Sequence, residues 1–101
     1  MERYSPKTID KLNRVSLNSD LKARMGLTEG SKIFLYPAGY LLVLQKLDVP
    51  NVPGYAVEVD IDKLGMFKIP ETMLLNMGWG PGDVVVFRCV NEDMLLIELV
   101  E

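Results

Sequence analysis

The strongest constraint in this sequence is that it repeats itself. Ile9-Asp10-Lys11-Leu12 returns as Ile61-Asp62-Lys63-Leu64, an offset of 52 residues from position 9 to position 61. The same offset pairs Leu21 with Met73, Met25 with Met77, Gly26 with Gly78, Leu27 with Trp79 and Gly30 with Gly82. The chain therefore reads as two related units, residues 1–47 and 55–101, joined by a breaker-rich linker over residues 48–54. Each unit is too short to bury a core alone, so the two are expected to share one.

Each unit reads as strand, strand, short helix, strand, strand. The first strand is expected over residues 7–12, with a turn at Leu12-Asn13-Arg14 into a short strand from Val15 to Leu17. Asn13 and, at the aligned position, Gly65 can take the positive φ that such a turn often needs. Asn18 reads as the N-cap of a helix from Ser19 to Met25, which Gly26 stops. Pro70 opens the matching helix, which runs to Met77 and ends at Gly78. Ser31 to Tyr36 and Tyr40 to Lys46 form a buried hairpin, and Asp83 to Val90 with Met94 to Leu99 form its counterpart. Tyr55 to Asp62 alternates apolar and acidic residues, and Phe67-Lys68-Ile69 is expected to pair back on it. Trp79, aligned with Leu27, reads as core. The fold class is thus mainly β with two short helices.

Composition narrows the function. At 49% hydrophobic residues and a mean hydropathy of +0.14 the chain is too apolar for disorder. It has no apolar run near the roughly 20 residues of a membrane helix. Met1 to Pro6 holds no apolar signal core, so a cytoplasmic location is expected. The absence of histidine excludes Ser-His-Asp chemistry and leaves Cys89 without a His partner. Asp10 and Asp62, one per repeat, evoke the paired acids of aspartic proteases, but each precedes Lys rather than a small hydroxyl residue and Gly. Asp60 and Asp62 share a strand face with no other ligand type nearby, and Gly78 to Gly82 leads into a strand instead of opening a helix. No enzyme activity, metal or cofactor is expected.

The net charge of −3 hides an asymmetry: residues 1–48 hold eight Lys/Arg against five acids, the remainder three against nine. A basic half and an acidic half suggest different partners.

Ile61-Asp62-Lys63-Leu64-Gly65-Met66-Phe67-Lys68-Ile69-Pro70, a helix closing on Met77-Gly78-Trp79, and Pro81-Gly82-Asp83 before a valine-rich strand resemble the AbrB/MazE/SpoVT family of swapped-hairpin transcription factors. The first unit resembles it too, so nearly the whole chain is covered. The resemblance implies a swapped-hairpin β-barrel in which tandem repeats in one chain replace the usual two chains. It also implies transcription regulation through double-stranded DNA. Arg14 matches the family's turn arginine and Lys22 its first basic helix position, with Ala23 at the second and Arg24 just beyond. In the second unit Met66 replaces the arginine and Leu74-Leu75 the basic pair, leaving Lys63 and Lys68. The implied DNA-binding residues are Lys11, Arg14, Lys22, Arg24, Lys63 and Lys68, with the first unit contributing most and Lys11, Arg14, Lys22 and Arg24 together on one end of it. Met66, Leu74 and Leu75 are expected to form a protein interface or a self-association surface, with Met66 and Leu74 outward and Met73 and Met77 inward. Leu75 also fits as extra core. The alternative function is a protein-interaction or antitoxin-like module with weak or no DNA binding.

Overall fold

A computed structural model describes residues 4–47 and 51–100; residues 48–50 of the expected linker lie outside the described residues. In the N-terminal half the chain forms β1 (Lys7–Thr8), β2 (Arg14–Ser16), α1 (Ser19–Met25), β3 (Lys32–Ala38) and β4 (Leu41–Lys46). In the C-terminal half it forms β5 (Val57–Asp60), β6 (Met66–Lys68), α2 (Glu71–Met77), β7 (Val84–Asn91) and β8 (Met94–Leu99). Six strands make one antiparallel sheet, in the order β1-β7-β8-β4-β3-β5, which curls strongly into a half-barrel. The remaining two, β2 and β6, make a separate ribbon.

The register of these strands repeats the offset seen in the sequence. Lys7 faces Val85 and Thr8 faces Val84, while Val59 faces Ile33 and Asp60 faces Lys32, which is the same pairing with the two halves exchanged. The ribbon is centred on Val15 opposite Phe67, which stand 52 positions apart. The middle of the sheet is centred on Val43 opposite Leu96, one position more because the second hairpin is longer. Only the hairpins β3–β4 and β7–β8 pair within a half; the other strand pairings among the described residues join the halves.

One core follows from this exchange. Val15 and Phe67 point inward from the ribbon, at 0% and 1% exposure, and meet Ile33, Leu35, Leu42, Leu44, Phe87, Leu95 and Ile97 from the sheet in one cluster. The radius of gyration, 12.2 Å, is close to the roughly 13 Å of a single 100-residue domain. Trp79 joins that cluster, as expected of it.

Both helices end alike. Gly26 and Gly78 take left-handed φ values of 67° and 72°. The next residue in each case, Leu27 or Trp79, donates its N–H back five residues, to Lys22 O or Leu74 O, and buries its side chain beneath the helix end. The helix starts differ from expectation. Asn18 occupies the N-cap position but makes no capping bond; its Nδ2 donates to Ser5 O at 3.4 Å instead.

Two further expectations are corrected. β1 ends at Thr8, because the Asp10 carboxylate accepts the N–H groups of Leu12 and Arg14 and folds residues 10–13 into a turn. β6 does not pair back on β5 but on β2 of the other half, which lets Phe67 close the open side of the half-barrel.

Candidate nucleic-acid interface

The candidate face is the outer side of the ribbon with the turn at each end. Asn13, at φ 63°, and Gly65, at φ 77°, complete the two turns. Asp10 Oδ1 accepts from Leu12 N at 2.9 Å and Arg14 N at 2.8 Å; Asp62 Oδ1 accepts from Leu64 N at 2.9 Å and Met66 N at 3.0 Å. These aspartates are turn formers. The Arg14 backbone N–H, more than any other group, holds the Asp10 carboxyl below its ordinary value, with the Arg14 side chain adding to the effect against partial desolvation.

Each turn is tied to the opposite strand. Leu17 N donates to Gly65 O at 3.0 Å and Ile69 N to Asn13 O at 2.9 Å. Because bonded and unbonded pairs alternate in an antiparallel ribbon, Arg14–Lys68 and Ser16–Met66 are the unbonded pairs, whose side chains stand closest. Val15 and Phe67 point into the core, so Arg14, Ser16, Met66 and Lys68 share the outer face.

Arg14 is held by Asp10, whose Oδ2 takes Arg14 Nε at 2.8 Å. Among the described residues its two Nη groups have no hydrogen-bond partner. Lys22 reaches across from α1 and lies over Gly65: its Nζ, Cε and Cδ are the atoms nearest to where a Gly65 Cβ would sit, with Cε 3.2 Å and Cδ 3.4 Å away. Lys11 and Lys63 are exposed in the two turns. Arg24, exposed in the last turn of α1, donates Nη1 to Tyr4 Oη at 3.4 Å.

The expected cluster of Lys11, Arg14, Lys22 and Arg24 is therefore divided. β2 carries the chain from its own turn to the opposite one, and α1 starts there. One end of the ribbon holds Lys11, Arg14 and Lys68, and the other holds Lys63 and Lys22, so each end draws on both halves. The five residues from Asn13 to Leu17 separate these ends by about 13 Å.

Of the expected apolar interface, Leu75 is 71% exposed and Met66 is half-buried on the ribbon face, but Leu74 is 3% exposed and belongs to the core with Met73. Leu74 stands where Lys22 stands in α1, at the edge of the buried helix face. A lysine there extends past the edge into solvent, whereas the shorter leucine stays under cover.

Three cations of the large sheet behave differently. Lys32 pairs with Asp60 and Glu58, Lys46 with Asp93, and Arg88 with Glu98. Among the described residues, Lys11, Lys22, Lys63 and Lys68 form no ion pair, nor does Lys7 in β1 of the large sheet. The sequence hint that was missed is Asp three residues before a residue able to take positive φ, in Asp10 to Asn13 and Asp62 to Gly65, which marks the turns.

No family model and no curated protein matches the chain. Among solved structures, the solution structure of PHS018 from Pyrococcus horikoshii is similar to it, with a TM-score of 0.58 at 14% identity over 98% of this chain and 91% of that one. This likeness is one of fold: a mainly β chain with two helices around a curled sheet.

Proposed function

We propose that the protein is a DNA-binding transcriptional regulator of the AbrB-like type, a swapped-hairpin barrel made by two tandem units, acting in the cytoplasm through its ribbon face. The observation that carries this reading is the sorting of charge. Lys32, Lys46 and Arg88 of the large sheet are neutralised by acids, whereas four of the five lysines without an acid partner among the described residues, all but Lys7 of β1, lie on the ribbon, its turns and the adjoining α1. Cations left without acid partners around one part of the surface are what a polyphosphate surface selects.

The geometry suits a duplex. A two-stranded ribbon fits a major groove about 12 Å wide, and the two basic ends lie about 13 Å apart. Lys11, Lys22, Lys63 and Lys68 would meet phosphates, and the Arg14 fork, steadied at Nε by Asp10, would meet a base edge. A protein-interaction module is the second reading. It is favoured by a cleft of about 550 Å³ whose lining mixes Met77, Trp79 and Leu99 with Glu98 and with Tyr40, which is 76% exposed.

Fluorescence anisotropy of a labelled random duplex, titrated at low and moderate salt, tests the first reading. Binding should fall linearly on a log–log plot against salt, and Lys22→Ala and Lys68→Ala should each reduce the slope by about one. Absence of binding at low salt would sink it.

A further inference from the structure

Backbone symmetry on the ribbon is not matched by its side chains. Asp62 folds its turn with the same two N–H bonds as Asp10, yet the residue that Asp10 also holds by Nε is an arginine in the first turn and Met66 in the second. Among the described residues Asp62 Oδ2 accepts no hydrogen bond, since methionine offers no donor. The other outward positions differ as well: Ser16 corresponds to Lys68, and Lys22 to the buried Leu74.

We infer that the protein reads a non-palindromic duplex in one orientation, with Arg14 on a guanine in one half of the site and Met66 against thymine methyl groups in the other. This rests on the ribbon face being the DNA-contacting surface. A reader with true twofold symmetry imposes that symmetry on its site, and the half-site spacing follows from the backbone. Here the backbone keeps the spacing while the side chains uncouple the two halves. An arginine fork matches the O6 and N7 acceptors of guanine, whereas a flexible thioether has no donor for them and packs on a methyl group.

A second observation points to the same polarity. Arg14 and Lys68 are direct cross-strand neighbours in the closer kind of pair, and the Arg14 charge is met on its Nε side by Asp10. An acceptor placed between them would draw a charged donor from each strand. The Met66–Ser16 pair at the other end carries no such charge.

In vitro selection of the full chain on a randomised duplex library, read by sequencing, tests this. Wild type should enrich a motif with unlike halves and a guanine column in one of them. Met66→Arg places an arginine within reach of Asp62 Oδ2, and its motif should become palindromic. That variant should bind a palindrome built from the Arg14 half about tenfold more tightly than wild type does. Arg14→Met should erase the guanine column, a readout that stands if Met66→Arg fails to fold. A palindromic wild-type motif, a Met66→Arg motif unchanged in a folded variant, or salt-dependent binding with no enriched motif would overturn the inference and leave DNA binding standing. Absence of salt-dependent binding to any duplex would overturn both.

Discussion

Lys22, on the first helix, lies across Gly65, the turn residue of the opposite half. A glycine suits that position because of its φ of 77°, the lysine above it being a flexible neighbour. Gly65→Ala should destabilise the fold by about 1–2 kcal/mol through the left-handed backbone, because the lysine tip is flexible and can give way. Gly65→Asn should cost less, since Asn13 already holds a φ of 63° in the other turn. Urea unfolding midpoints of the two variants check the order.

Leu74 and Leu75 are neighbours in sequence with opposite surroundings, 3% and 71% exposed. Leu74→Ala should lose about 2–4 kcal/mol, and Leu75→Ala should stay within about 0.5 kcal/mol of wild type. Since about 1 kcal/mol moves the Tm of a domain this size by roughly 4–8 °C, a thermal melt separates them. Equal melting of the two variants would contradict the burial of Leu74.

Asp10 supplies an acid-sensitive contribution. Its carboxyl is held below the ordinary 3.8, chiefly by the Arg14 backbone N–H, so the folded state favours the ionised form. The resulting stability is fully present above the ordinary value and is lost as the pH falls through the depressed folded one. Asp10→Asn should therefore unfold with a shallower pH dependence than wild type on the acid side. Urea midpoints between about pH 6 and about pH 2.5 measure it; parallel curves would show that the turn carboxylate does not matter.

Because β1, β2 and β4 find their partners in β7, β6 and β8, neither half has a complete set of strands. Residues 1–47 and 55–101 expressed separately should be unfolded or self-associated, with exposed strand edges and half a core. A monomeric, cooperatively melting fragment in circular dichroism and sedimentation would refute this.

Local signals were legible in the sequence. The repeat, the helix from Ser19 to Met25, the helix stops at Gly26 and Gly78, and the buried hairpins follow from turn chemistry and from apolar runs that need only their near neighbours. The candidate cations were legible as residues but not as a surface, since Lys22 and Arg14 stand at different ends of the ribbon.

By itself, then, the sequence determined the repeat, the elements and most of their limits. Tertiary structure decided which strands pair, where Lys22 lies and that Leu74 is buried. The physical reason is the repeat itself: when two halves carry the same pattern, β6 meets an apolar partner whether it pairs with β5 or with β2, and local propensity cannot choose. The choice falls to long-range burial, because only the exchanged pairing sets Val15 and Phe67 side by side over the open half-barrel.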